Sequence, residues 1–259
     1  MSNPTTGICK LTDKHGTFVA CHLVPRSFLD IRQFNGDVPL KIYSLHKQEY
    51  PRRSETGLYD KTIVCDDGER ILAQLDTVAN ELLNVPIARD AYLKNQHGFI
   101  ARDDTGKKVA YTIAANRYAQ LKLFALSIFW RASVSCRAEV AQFQLGSAIE
   151  SRISHLLVSS DAGTAEDLSI LICRYTNELG APYTTPSRLA ILEVPFVHTT
   201  FGRYHFYLKT ADVRTPDPID EMQLDPRRPL PILLGDFFDT KYGQQTRRKF
   251  AELCGNRAA

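Results

Sequence analysis

The sequence predicts an α+β chain with a small N-terminal αβ unit, a helical middle and a C-terminal region of antiparallel strands. Three observations carry this reading. Residues 7–68 are rich in turn residues and short apolar pieces. From Glu69 the period changes: Ile71, Leu72, Leu75, Val78, Ala79, Leu82 and Leu83 fall at the i, i+3, i+4, i+7 spacing of an amphipathic helix. Residues 203–209 alternate, with Tyr204, Phe206 and Leu208 on one side and Arg203, His205, Tyr207 and Lys209 on the other. That is the period of a half-buried antiparallel strand. The chain divides accordingly into segments 1–84, 85–180 and 181–259.

Element by element, Thr17, Phe18 and Val19 read as a short strand, as do Lys61 to Val64. A polar, basic loop ending in Pro51-Arg52-Arg53-Ser54 joins them, an arrangement that suits a ligand-organised unit better than an independent core. Pro86 closes the first helix. A loop around Asp103, Asp104, Gly106, Lys107 and Lys108 precedes a long, largely buried helix from Ala114 to Ser133. Gly146 to Leu157 reads as another helix, with Ile149, Ile153, Leu156 and Leu157 on one face. Thr164 is a candidate N-cap for a helix through Leu168, Ile170, Leu171 and Tyr175. Beyond Gly180 and Pro182, Leu189 to Val194 reads as a strand, and five prolines between Pro216 and Pro231 predict an extended loop. A last strand over 230–238 and a basic helix over 240–254 complete the chain.

With 259 residues, 32 Lys and Arg against 29 Asp and Glu, and a net charge of +3, the composition excludes a disordered chain, a collagen or a coiled coil. A charge this small exerts no strong global pull on nucleic acid, so any such contact must come from a local patch. The most apolar stretch, Leu123 to Trp130, falls well short of the roughly 20 residues a membrane span needs and reads as buried helix, with Trp130 in the core. The start, Met-Ser-Asn-Pro-Thr-Thr-Gly, has neither the basic residues nor the apolar run of a signal peptide. Cys9, Cys21, Cys65, Cys136, Cys173 and Cys254 are scattered, unlike a disulfide scaffold, and the expected compartment is a reducing cytoplasm.

Three N-terminal pieces carry chemistry in their order: Cys9-Lys-Leu-Thr12, Cys21-His22-Leu-Val-Pro25, and Asp60-Lys-Thr-Ile-Val-Cys65-Asp-Asp-Gly68-Glu69 running into the helix. A Cys-containing knuckle, a strand ending in His, a loop and a second knuckle opening a helix resembles the HNH nuclease family, whose fold is the treble clef or ββα-metal fold. The resemblance covers roughly residues 7–84. It extends to a broader set of bacterial proteins with an HNH-like start and a helical continuation, where Leu121-Lys-Leu-Phe-Ala-Leu-Ser127-Ile-Phe-Trp130-Arg131 has a similar counterpart.

The resemblance implies His22 as general base on water. It implies Asp60 and Glu69 as oxygen ligands to Mg²⁺ or Mn²⁺, in a one-metal hydrolysis of phosphodiesters. Cys21 stands where the family often has a metal-binding Asp. The residues also admit plainer roles: a hydrogen-bonded core histidine, a turn residue at Asp60, and a dipole-favoured carboxylate at Glu69. Members that bind structural zinc do so through two Cys-x-x-Cys pairs; here the pairs are Cys9 with Thr12 and Cys65 with Gly68, so a four-thiolate zinc site is not expected. Cys9 and Cys65 are instead expected side by side at a vestigial knuckle. Two readings of function follow: a metal-dependent nuclease, as in a bacterial defence or toxin effector, or a non-catalytic treble-clef-derived module binding nucleic acid or a protein. The basic stretches Pro51-Arg52-Arg53 and Arg247-Arg248-Lys249 are candidate phosphate contacts. His155, His198 and His205 receive no role.

Overall fold

The computed structural model describes residues 5–29, 40–43, 52–54, 57–84, 97–102, 108–175 and 182–235. Thr6–Ile8 (β1) reverses through a tight turn into His15–Thr17 (β2), with Cys9 and Lys14 bonded across the base of the turn. Cys21–His22 (β3) leads through Pro25 into one helical turn, Arg26–Leu29 (α1). Leu40–Tyr43 (β4) and Arg52–Ser54 (β5) pair antiparallel.

Tyr59–Asp60 (β6) returns to pair with β3. The strand predicted at 61–64 thus lies two residues earlier and is shorter, because the Asp60 carboxylate accepts from both the backbone N–H and the hydroxyl of Thr62 and bends the chain away. The helix that follows, Asp66–Leu83 (α2), has Asp66, Asp67 and Glu69 in its first turn, where the dipole favours acids, and buries Leu72, Ala79, Leu82 and Leu83.

His97–Arg102 (β7) and Lys108–Ile113 (β8) form a hairpin on either side of the predicted loop. Tyr118–Val134 (α3) is the central helix, buried at every position from Leu121 to Ser133. It packs against α2, against Ser147–Ser159 (α4) and onto the sheet. Phe124 meets Phe28, Phe201 and Phe206 there.

The predicted helix from Thr164 is absent. Leu168 takes a left-handed backbone (φ 53°), and Ile170–Tyr175 (β9) is a strand buried on both faces. A β-branched, aromatic run covered on both sides suits a central strand better than an amphipathic helix. Pro182–Ile191 (β10) and Val194–Phe201 (β11) follow, so the strand expected over 189–194 spans a hairpin turn at Leu192-Glu193, both with positive φ.

Gly202-Arg203 turns β11 into Tyr204–Lys209 (β12). The strand the alternation predicts is present, but it is buried on both faces rather than half-buried, because it lies between β11 and β9 with His205 and Lys209 hydrogen-bonded inside. Gly202 has φ +57°, and a Cβ there would lie 2.9 Å from the Phe28 carbonyl oxygen. Gly202→Ala is therefore expected to lower stability by about 1–3 kcal/mol, read as a drop in urea midpoint at unchanged slope. A short helix, Ile219–Met222 (α5), interrupts the proline-rich loop before Leu230–Gly235 (β13). The predicted C-terminal helix and the Arg247 cluster lie outside the described residues, as does Cys254.

One mixed sheet of nine strands unites these pieces in the order β5-β4-β10-β11-β12-β9-β13-β8-β7. Its pairings are antiparallel except β4 with β10 and β9 with β13. The sheet takes strands from all three segments of the sequence. A single apolar cluster runs from Cys9 and Cys21, through α3, to Ile232.

Candidate functional site

Pairing of β3 with β6 sets Cys21 opposite Asp60 and His22 opposite Tyr59. Opposed residues share a face and successive residues alternate. Cys21 and Asp60 therefore face the interior, where both are buried, and His22 and Tyr59 share the outer, half-buried face. The two rings lie 5.9 Å apart at a tilt of 54°. The Lys61 ammonium sits 5.7 Å from the Tyr59 ring centroid, within cation–π reach.

Asp60 is fully engaged by donors. Oδ1 accepts from Thr62 N (2.8 Å) and Thr62 Oγ1 (2.7 Å), and Oδ2 from Ser135 Oγ (2.6 Å) and Cys136 N (3.2 Å). Burial alone would raise its pKa, but the Ser135 and Thr62 hydrogen bonds outweigh it and hold the carboxyl below its usual range. Asp60 thereby ties the N-terminal unit to the end of α3. Lys10 reinforces the tie by donating to the Val134 carbonyl (2.6 Å).

Glu69 meets the Cys21 thiol rather than Asp60. Burial raises its pKa, with Arg131 opposing, and Oε2 is buried without a hydrogen-bond partner among the described residues. Burial likewise pushes the Cys21 thiol well up, and Glu69 adds to the rise.

Over this pair lies Arg131 of α3, its side chain 1% exposed. It grips Asp76 through Nη2–Oδ1 (2.6 Å) and Nη1–Oδ2 (3.0 Å), and donates to the His22 carbonyl (3.0 Å) and Ser127 Oγ (3.3 Å). Its charge is held against the cost of burial chiefly by Asp76, with Cys21 and Glu69 contributing. The three predicted residues are thus distributed: His22 outside, Asp60 saturated inside, and Glu69 beneath an arginine.

The knuckle positions converge. Cys65 neighbours Cys9 and its thiol donates to the Gly7 carbonyl (3.8 Å), Thr12 lies in the same turn with its hydroxyl buried, and a Cβ on Gly68 would lie 2.9 Å from Cys9 Sγ. Burial would raise the Cys9 pKa, but hydrogen bonds from Thr12 and from the backbone of Cys65 lower it; burial raises that of Cys65. Both cysteines are free thiols. Among the described residues, no group of three or more His, Cys, Asp or Glu side chains is placed to hold a metal ion.

Sequence reasoning missed a second polar constellation. Ser187 on β10, His198 on β11, His205 on β12 and Tyr175 on β9 form one hydrogen-bonded row across four strands. The signal was present: a two-residue turn at Gly202-Arg203 closes on Phe201 and Tyr204, which sets Thr200 opposite His205. His198 and His205 are then diagonal neighbours on one face. Two further buried cations are structural. Lys122 donates to the carbonyls of Thr164 (2.6 Å) and Asp167 (2.5 Å), and Lys209 to Glu166 (2.9 Å) and Val213 O (2.6 Å).

The chain matches no protein-family model, no curated protein and no solved structure. Among the described residues no helix is long and apolar enough to cross a membrane.

Proposed function

We propose that residues 7–84 are a treble-clef-derived unit of HNH-like ancestry that binds single-stranded nucleic acid without cutting it. The observation that carries this reading is the division of the β3–β6 ladder. The carboxylate side is closed by Arg131, whereas the outer side presents His22, Tyr59 and Lys61.

Support for the ancestry comes from Cys9, Thr12, Cys65 and Gly68 meeting at one point, with a thiol pair and a hydroxyl where four thiolates would close a zinc site. The donors do not suit Mg²⁺ or Mn²⁺, which take several oxygens. Both oxygens of Asp60 are already double acceptors, and Glu69 is flanked by a thiol and by the guanidinium of Arg131. That guanidinium supplies positive charge locally as a fixed group. A ring beside a lysine, in contrast, matches the stacking platform and phosphate contact that single strands need.

The test is fluorescence anisotropy with labelled DNA and RNA oligonucleotides at low salt. Tyr59→Ala should weaken binding about 5- to 150-fold, the worth of one stacked base. Lys61→Glu should weaken it and flatten its salt dependence. Binding indifferent to both substitutions refutes the reading. In the same samples, Mg²⁺- or Mn²⁺-dependent cleavage that His22→Ala abolishes would establish the hydrolytic alternative instead.

A further inference from the structure

The geometry points to a second, hydrolytic site: we propose that Ser187 is a nucleophile activated by His198, positioned through His205 and Tyr175, and acting on carboxylic esters with an apolar acyl group. The backbone sets the pair. β10 and β11 are in simple register from Ile191 to Ser187, and the register then shifts between Ser187 and Thr184, across Pro186. Irregularities of this kind re-aim side chains and recur beside active sites. Here Ser187 is placed directly opposite His198, with Oγ 2.7 Å from Nε2.

The row then continues inward. His198 Nδ1 lies 2.7 Å from His205 Nε2, and His205 Nδ1 bonds the Tyr175 hydroxyl. The imidazoles of His198 and His205 stack with centroids 4.8 Å apart, and the Tyr207 ring stacks on His205 at 4.2 Å. These contacts fix the ring orientations. A serine, a base and a group that orients the base, each within hydrogen-bond reach of the next, is the arrangement that activates a hydroxyl.

With the Tyr175 oxygen as the inner acceptor and its own proton turned away from the row, the protons between the four residues all run one way. His205 Nδ1–H donates to Tyr175, His198 Nδ1–H donates to His205, and Ser187 O–H donates to His198 Nε2. Burial keeps both imidazoles neutral near pH 7, which is the state that accepts a proton. Ser187 alone of the four is partly exposed; His198, His205 and Tyr175 are buried.

The ester class follows from the neighbouring rungs. Leu189 lies opposite Phe196 and Ile191 opposite Val194 on the same face as Ser187 and His198, and Ile219 and Met222 of α5 pack onto them. Leu189, Ile191, Val194 and Met222 are only half-buried, so an apolar surface adjoins the hydroxyl. In the reaction, Ser187 Oγ bonds the acyl carbon as its proton passes to His198 Nε2. The ester C–O bond breaks, and the departing alkoxide takes that proton. Water, deprotonated by the same nitrogen, then attacks the acyl-serine; this releases the carboxylic acid and restores the serine.

The experiment treats the full chain with an alkyl fluorophosphonate, maps the labelled peptide by mass spectrometry, and follows hydrolysis of p-nitrophenyl butyrate. Ser187 should carry the label, Ser187→Ala should abolish labelling and turnover, and His198→Ala should slow both about 10²–10⁴-fold. The pH profile separates activation from a merely structural row. His205 and Tyr207 of β12, Tyr175 of β9 and Ser187 of β10 face His198, and the labelling rate should stay level from pH 8 to pH 5, where an ordinary histidine would already be protonating. Tyr175→Phe, which keeps the ring, should slow labelling while circular dichroism stays unchanged. No label at Ser187 in the wild type overturns the proposal, as does labelling of equal rate in His198→Ala. Should His198→Ala fail to fold, Tyr175→Phe decides: an undiminished rate overturns it.

Discussion

Replacing Arg131 by Met is expected to destabilise the chain by about 3–5 kcal/mol, the usual consequence of removing one partner from a buried ion pair. The arginine side chain is 1% exposed and that of Asp76 19%. Without the guanidinium, Asp76 loses two hydrogen bonds, the carbonyl of His22 loses a donor, and Glu69 loses a cation that opposes its protonation. The double substitution Arg131→Met with Asp76→Leu should recover a large part of the loss, since an apolar pair replaces an orphaned charge. Urea unfolding of the four proteins of this cycle is the measurement. A single-variant loss below 1 kcal/mol would mean that water reaches the pair. Because Arg131 also anchors the His22 strand through the His22 carbonyl, the single variant should weaken oligonucleotide binding too, although Arg131 is itself buried.

Acid should unfold the chain earlier than its carboxylates alone would require. Burial pulls His198 down to about 4 and His205 well below the ordinary histidine value, with His198 adding to the effect on His205. A depressed histidine pKa means that the unfolded chain takes up protons which the folded chain refuses. Stability therefore falls as pH drops from about 6.5 towards 4, and His198 alone contributes roughly 3 kcal/mol over that window. Below it, Glu166, held down at about 2 against its burial by Gln223 and Lys209, gives up its share between its ordinary value and about 2. Urea midpoints at pH 7 and pH 5 test this: His198→Gln should flatten the slope between them. A wild-type midpoint unchanged from pH 7 to pH 5 would exclude neutral buried imidazoles in the native state.

Helices were the most legible elements, for a physical reason. In α2 the 3.6-residue period is written in apolar residues on one face, and in α3 the composition is so apolar that burial all round is the only outcome. The strand at 204–209 was equally plain because apolar residues alternate with polar ones in its sequence, although both of its faces are buried. Ile170–Tyr175 was not, because the run Ile-Leu-Ile-Cys has no alternation to read, and Thr164 offered a convincing false cap.

The N-terminal site was legible in its order but not in its wiring. No spacing rule announces that Ser135 and Cys136, some 75 residues along the chain, will occupy the Asp60 carboxylate, or that Arg131 will descend on Glu69. The histidine row was hidden differently. Its inner register could be counted from the Gly202-Arg203 turn, but its outer member is counted from the Leu192-Glu193 turn, which the apolar run over 189–194 conceals.

The last described strand, β13, enters the sheet between β9 and β8. As the chain leaves the ribosome, β8 and β9 must therefore wait with their inner backbone edges unpaired until residues 230–235 arrive, about 55 residues after β9 is complete. Open edges of this kind invite pairing with other nascent chains. A stop or frameshift ahead of Leu230 would leave a gap in the middle of the sheet rather than a trimmed end, and its product should be degraded or precipitate rather than persist as a shortened native protein.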